Sequence, residues 1–292
     1  MGEGEAQTGS SHYGGRALIV IRACSGFDEL EACVQLQIET WGMDSSEVFP
    51  RKAYLLAQKI GGQVIGAFDT EVASQASAKG DLVGFVASWP GVKTTDSGPQ
   101  PYLHSHMLAV REQYRNRGLG TRLKLEQRRE ALARGIRLME WTFDPLEIKN
   151  AFLNIHKLGA IVYRYEPNFY GVSSSRLQGG LPTDRLVAEW QLDSPRVEAA
   201  LECRPTAERI IEEKIEERIS VPASIYQWKA SEADRERALA LQLENRRRFQ
   251  HAFSRGLAVL SFTCNAEGNG VFELGPLAHS EAGLKSQGNG NL

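Results

Sequence analysis

From residue 17 onward the chain alternates short apolar runs with segments in which apolar residues return every three or four positions. "ALIVIRAC" is β-branched and short, the pattern of a strand. In "FDELEACVQLQIETWG" the positions Leu30, Cys33, Leu36 and Ile38 lie near helical spacing, and Gly42 supplies the stop. "YLLAQKIGGQVIGAFD" predicts a strand, a Gly-Gly turn and a second strand. "DLVGFVASWP" predicts a third strand ending at Pro90, followed by a polar loop, "VKTTDSGPQ". "YLHSHMLAV" is a further strand, which alternation divides into a face carrying His104, His106 and Leu108 and a face carrying Ser105 and Met107. Residues 121–134 predict a helix with Leu123, Leu125, Ala131 and Leu132 set against a basic face and Gly135 as its stop. "IRLMEWTFD" reads as a strand. "PLEIKNAFLNIHKLGA" reads as a helix opening at Pro145 and closing at Gly159. "IVYRYEPNFYG" and "RLVAEWQL" complete the set as strands. The order predicts an α/β fold of α+β type, a mixed sheet with helices on both faces.

The pattern changes near Ser194. "RVEAALECRPTAERIIEEKIEER" is charge-dense and partly helical, and "ISVPASIY" is extended, with Pro222 suited to an edge strand. Ser231 is placed to cap the helix through "EADRERALALQLENRRRFQHAFSRG", which Gly256 ends. "LAVLSFTC" and "GVFELG" flank "NAEGNG" as a hairpin. The expected organisation is a disordered tail over 1–15, a first domain over 16–193, an appended β-α-β-β unit over 194–277 and a disordered tail over 278–292.

Composition narrows the function. The 34 basic and 36 acidic residues nearly balance, which removes the electrostatic case for nucleic acid. Cys24, Cys33, Cys203 and Cys264 form no CxxC pair, so buried reduced thiols are expected, with neither a metal site nor a disulfide framework. No apolar run approaches the roughly 20 residues of a membrane span. The first residues, polar and Gly/Ser-rich, do not resemble a signal peptide. The expectation is a cytoplasmic protein without a membrane partner.

Charge is nonetheless local. Between Arg111 and Arg137 nine basic residues face three acidic ones, in "REQYRNRGLGTRLKLEQRREALARGIR". Arg115, Gly118 and Gly120 are spaced R-x-x-G-x-G where a strand turns into a helix. Glycine admits positive φ and, lacking Cβ, lets a ligand approach the main chain. The amides from Asn116 to Thr121 would then face outward at a helix start, where unpaired N–H groups and the helix dipole favour an anion. A Walker loop would need Gly-Lys-Ser/Thr, and a dinucleotide loop would need G-x-G-x-x-G after the first strand. Neither pattern is present at this turn.

"MLAVREQYRNRGLGTRLKLEQRREALARG" resembles the acetyl-CoA-binding segment of the GNAT acetyltransferase superfamily. The match is Leu108-Ala109-Val110 followed by Tyr114, Arg115, Gly118 and Gly120, and the resemblance covers roughly residues 17–192. "WTFDPLEIKNAFLNIHKLGAIVYRYEPNFYG…GLPTDRLVAEW" is similar to a branch of predicted GNAT acetyltransferases that carries a C-terminal extension. The resemblance implies a GNAT-like acyl-CoA N-acyltransferase fold in which a bulged fourth strand splays from the fifth. It implies that Leu108, Ala109 and Val110 hold the pantetheine arm of acetyl-CoA. It implies that Gln113, Arg115, Asn116, Arg117, Gly118, Leu119, Gly120 and Thr121 hold the pyrophosphate, and that Asn150 or Asn154 contacts the co-substrate from the next helix.

Acetyl transfer needs a neutral amine, a donor to the oxyanion and a proton for the departing thiolate. The backbone amide near Val110 can serve as the donor. The superfamily's usual acid, a tyrosine, is replaced here by Ile155. Tyr163, Tyr165 and Tyr170 are nearby substitutes, unless they are half-buried strand aromatics. His106 and its neighbour His104 have the pKa for a proton shuttle but could equally be structural. Glu140 and Asp144 are reachable carboxylates, with Asp144 favoured as a helix cap. Asp184 and Arg185 in "GLPTDRL" either orient a charged substrate or form a surface ion pair. The function expected is an acetyl-CoA-dependent N-acetyltransferase acting on a small-molecule or peptide amine. The alternative is a non-catalytic CoA-binding or regulatory module. The edge strand in the C-terminal unit suggests a homodimer over a lid.

Overall fold

Isoleucine and valine in alternation place the first strand, β1 (Ile19–Ala23), at one edge of a ten-stranded sheet. The computed structural model describes residues 18–71, 80–95, 98–171, 173–202 and 215–277. Both terminal tails and residues 203–214 of the charge-dense stretch, with Cys203, lie outside the described residues. The other strands are β2 (Gln63–Asp69), β3 (Asp81–Thr95), β4 (Gly98–Val110), β5 (Leu138–Phe143), β6 (Ile161–Glu166), β7 (Arg185–Gln191), β8 (Glu217–Val221), β9 (Leu257–Cys264) and β10 (Gly270–Pro276). They lie in the order β1-β2-β3-β4-β5-β7-β6-β9-β10-β8.

Helices cover both faces. On one face α1 (Gly26–Trp41) and α2 (Arg51–Lys59) bury Leu30, Leu36 and Tyr54 against Phe85 and Ala87 of β3. On the other, α3 (Leu119–Ala133) buries Leu119 and Leu123 against Ile65, Val83 and Val86. Further along the same face, α4 (Ile148–Ala151), continuing as a π-helical turn (Phe152–Lys157), shares a core with the long C-terminal helix, α7 (Arg235–Ser254). Two shorter helices, α5 (Pro195–Leu201) and α6 (Ile225–Ala230), complete the set used below. Trp190 is fully buried in that core, edge-on to Trp141 at 5.8 Å, and its indole donates to the Leu158 carbonyl at 2.7 Å, locking β7 to the end of α4.

The C-terminal strands continue the main sheet. β9 joins β6 through the pair Val162–Val259, and the core beneath holds Ile155, Trp190, Phe249 and Phe272 together. β8 is the far edge, but it ends at Val221, and the expected extended run beyond Pro222 turns instead into α6.

Five further local expectations are corrected. "YLLAQK" is helical: Tyr54 and Ala57, three apart, are buried while Leu56 is exposed, so the period is that of a helix. β3 runs through Pro90 to Thr95 and β4 begins at Gly98, so the described part of the expected polar loop is paired strand. β2 stops opposite Ser88, so Pro90 needs no partner on that side. Pro145 lies in a turn before α4, because Asp144 accepts from the Leu146 amide at 2.8 Å and closes that turn. Ser231 ends α6, and Asp234 precedes α7. Cys24 and Cys33 are buried, with sulfurs 3.8 Å apart, but Cys264 is exposed.

The feature that positions the site is the one parallel pair among the described strands. β4 and β5 share only Leu103–Met139 and His104–Glu140 before they separate. β4 also gives up one residue of register to β3 between Met107 and Ser105, so His106 is the extra residue of a bulge.

Candidate functional site

The separated strands open a cleft of about 300 Å³. Its walls are Ser105 to Leu108 of β4, Trp141 to Phe143 of β5, and Asn150, Leu153 and Asn154 of α4 with its π turn. The bulge changes which side chains face which way. Ser105 and Leu108 point toward α3, whereas Met107 and Ala109 join the α1/α2 core and His106 packs on Phe49 and Trp89 of that side. Simple alternation had set Leu108 with the histidines. One inserted residue breaks the two-residue phase.

Main-chain donors also line the gap. The Arg111 amide donates to the Val83 carbonyl across β3, so by strand alternation the N–H groups of Leu108 and Val110 face away from β3, into the cleft. On that side the Val110 carbonyl accepts from Arg115 Nε at 2.9 Å. Ala109 is buried and turns its side chain away.

The basic turn lies at one end of this gap. Asn116 (φ 60°) and Gly118 (φ 74°) are both left-handed, and Gly118 caps α3 without offering a side-chain acceptor. The amides of Leu119, Gly120 and Thr121 therefore have no partner within the helix. A Cβ on Gly118 would meet nothing within 4 Å, and one on Gly120 would meet only Leu108 and Leu153, both cleft residues. Gln113, Arg115, Asn116 and Arg117 are exposed around the turn, with Arg117 5.7 Å above the Tyr114 ring. A diphosphate at the turn and an extended arm along β4 fit this arrangement.

The mouth is closed by two loops. Glu47, between α1 and α2, accepts from Ser173 Oγ at 2.9 Å and from the Ser174 amide at 2.7 Å, in the loop between β6 and β7. These bonds hold the Glu47 carboxyl below the usual carboxylate range, the Ser174 hydroxyl and amide contributing most. The second loop also carries Tyr170, whose hydroxyl lies 3.0 Å from Thr142 Oγ1 and whose ring is 6.0 Å from His106.

Of the four proton-carrying residues expected from the sequence, the cleft brings His106 and Tyr170 together. Burial, reinforced by His104, lowers His106 to about 4, so it is neutral near pH 7. Tyr165 is not in the cleft: it stacks on Phe249 of α7 and donates to Asp184 at 2.6 Å. Tyr163 faces the opposite side of the sheet with Ile161, Ala258 and Leu260. Ile155 is buried in the α4–α7 core, and the π turn presents Leu153 and Asn154 to the cleft instead. Glu140 also lies outside the lining, clustered with Lys93, Arg164 and Glu189, while Asp144 lines the cleft but is held by Lys229 at 2.9 Å. Asp184 is fully buried, and its carboxylate pairs with Arg246, not with Arg185.

Residues 30–154 match the model of the Acetyltransferase (GNAT) family. This span is a GNAT acetyltransferase domain. The match begins within α1 and ends within the π turn, leaving β1, β6, β7 and the C-terminal strands outside it. Among solved structures the GNAT domain is similar to Arabidopsis thaliana NAA60 in complex with a bisubstrate analogue (16% identity over 59% of this chain and 97% of that one, TM-score 0.48). It is also similar to the ribosomal-protein-S18-alanine N-acetyltransferase of Escherichia coli (13%, 61% and 96%, 0.44). A GNAT family acetyltransferase from Elizabethkingia anophelis with acetyl-CoA bound is a third (14%, 59% and 97%, 0.39). No curated protein matches the chain.

Glu47 and Lys124 of the cleft were missed. Lys124 of α3 lines it yet is only 3% exposed, although the sequence placed it on a solvated basic face. The buried positions of α3 are Leu119, Leu123, Lys124, Gln127 and Ala131, so Lys124 sits on the helix's inward stripe. Its adjacency to Leu123 and its i+3 neighbour Gln127 were the available signal. No helix among the described residues is long and apolar enough to cross a membrane.

Proposed function

We propose that the protein transfers an acetyl group from acetyl-CoA to the amine of a small molecule or peptide. The observation that carries this reading is the continuity between the glycine turn, with its unpaired α3 amides, and the gap where β4 leaves β5. Gly118 to Thr121 hold the diphosphate, and the amides of Leu108 and Val110 hold the arm and polarise the thioester carbonyl. Asn150 and Asn154 face the arm from α4 and its π turn. When bound, acetyl-CoA supplies the activated acyl group.

The acceptor amine enters past Glu47 and Tyr170, on the His106 side of β4. His106 is neutral near pH 7 and accepts the proton that the nitrogen loses, and the Tyr170 hydroxyl orients the amine. The C-terminal unit supports this wall: Lys229 of α6 bonds Asp144 at 2.9 Å and Glu147 at 2.8 Å, both cleft residues.

The test is thiol release from acetyl-CoA across a panel of amines and N-terminal peptides, with CoA affinity measured by calorimetry. Turnover on any amine supports the enzyme. Tight CoA binding with no turnover favours the non-catalytic module that the loss of a tyrosine at Ile155 suggests, and failure to bind CoA removes both readings.

A further inference from the structure

Among the described residues, no carboxylate pairs with Lys124. Its Nζ lies 3.0 Å from Ser105 Oγ, 3.1 Å from Gln127 Oε1 and 3.5 Å from Met139 Sδ. It sits 3.8 Å from the centre of the Trp141 ring and 5.5 Å from that of Trp190. Among the described residues none of these partners is a carboxylate. By contrast, Lys229, a buried lysine that bonds two cleft residues, is matched by two carboxylates.

A buried ammonium paired only with neutral acceptors and ring faces costs stability that an apolar side chain of the same length would not. The fold does not need it, since Ser105 Oγ already donates to Gln127 Oε1 at 3.0 Å. Its location is informative. Ser105 is the first β4 residue beyond the last β4–β5 pair, so Lys124 marks the vertex toward which an arm anchored at Gly118 and running back along β4 must point.

We propose that Lys124 Nζ gives a proton to the sulfur of coenzyme A as it leaves. This rests on the acetyl-CoA reading above. The acceptor nitrogen forms the C–N bond and loses a proton to His106. The C–S bond breaks, its electron pair stays on sulfur, and the Lys124 proton converts thiolate to thiol. Lys124 is left as a neutral amine and is reprotonated from the solvent that enters the cleft.

Chemistry supports the match. An ordinary lysine, near 10.4, holds its proton too tightly to share it readily with a thiol near 8.5. Burial pushes Lys124 well below the lysine range, and the incipient thiolate supplies the missing counter-charge. The other titratable groups facing the cleft are His106, Glu47, Asp144, Glu147, Tyr170 and Arg185, the last bonded to the Asp184 carbonyl and to Gln178 Oε1 and 5.3 Å from the Tyr170 ring. Asp144 and Glu147 are engaged by Lys229 and Glu47 by the two serines.

The experiment uses coenzyme A itself with the full chain and needs no acceptor. The thiolate absorbance of bound CoA is titrated against pH in the wild type, in Lys124→Met and in a second neutral variant, Lys124→Gln. A nearby ammonium stabilises the thiolate, so the bound thiol should ionise about one unit or more lower in the wild type than in either variant. Lys124→Arg, which keeps the charge, should retain the shift. Equal titrations in wild type and both neutral variants, with CoA bound in all, would overturn the role of Lys124 and leave the acetyl-CoA reading standing. Wild type that binds no CoA in calorimetry would remove that reading, and this proposal with it.

Discussion

Arg246, on the long C-terminal helix, grips both carboxylate oxygens of Asp184 at 2.8 Å each. Asp184 is fully buried and also accepts from the Tyr165 hydroxyl at 2.6 Å and from the Asn168 amide at 2.9 Å. Two residues beyond Asn168 is Tyr170, on the wall of the cleft. The C-terminal unit thus fixes the loop that carries Tyr170, and Gln242 adds a bond to the Pro182 carbonyl at 2.8 Å.

Removing one partner of such a pair leaves an uncompensated buried charge. Arg246→Met should lower unfolding free energy by about 3 kcal/mol. It should also raise KM for the acceptor more than it lowers kcat, because the loop loses its anchor. Arg246→Lys, unable to bond both oxygens, should fall between. Urea denaturation and steady-state kinetics measure both effects. An unchanged KM would show that the loop is held by other contacts.

Lys124→Met should stabilise the fold. The substitution removes an ammonium buried against Trp141 and Met139 and leaves the Ser105–Gln127 bond intact. A gain of about 1 kcal/mol or more is expected, with a rise in Tm in the absence of ligand. A loss of stability would mean that the hydrogen bonds and ring contacts outweigh desolvation.

His106 makes stability depend on acidity. Its folded value, about 4, lies below its ordinary 6.5, so between these values the unfolded chain binds a proton that the native chain does not. Stability should therefore rise with pH across this window and be lost as pH falls through it. At about 1.4 kcal/mol per unit, His106 accounts for up to about 3 kcal/mol. His104, also lowered by burial, acts in the same direction. Denaturation at pH 7 and pH 4.5 should show this slope reduced in His106→Phe, which keeps an aromatic ring against Phe49 and Trp89.

Gly118→Val should fold but lose coenzyme A. The added Cβ meets nothing within 4 Å in the protein, so the cost is that of a left-handed φ of 74°, about 1–2 kcal/mol. On the proposed placement of the diphosphate, the same carbon would occupy its space in the complex. Losing one or two charged hydrogen bonds, each worth about 1.5–3 kcal/mol, should weaken binding at least about tenfold by calorimetry.

Local sequence determined the elements whose signal is periodic or steric. β1, α1, β5, β7 and the β9–β10 hairpin follow from apolar spacing, and the turn at Gly118 follows from two glycines beside a basic helix. The proposed anion-binding corner is legible for that reason: the donors belong to the main chain, and the glycines that expose them lie two positions apart in the sequence. Tertiary structure decided the rest. The bulge at His106 reversed which face of β4 the following residues occupy, and no local pattern records an extra residue in a strand. Tyr165 and Tyr170 look alike in sequence, yet α7, about eighty residues further on, buries one and leaves the other in the cleft. Lys124 read as one more charge on a basic helix until the sheet packed against it. Burial, and the electrostatic cost and chemical use that come with it, arises from contacts between segments far apart in the chain.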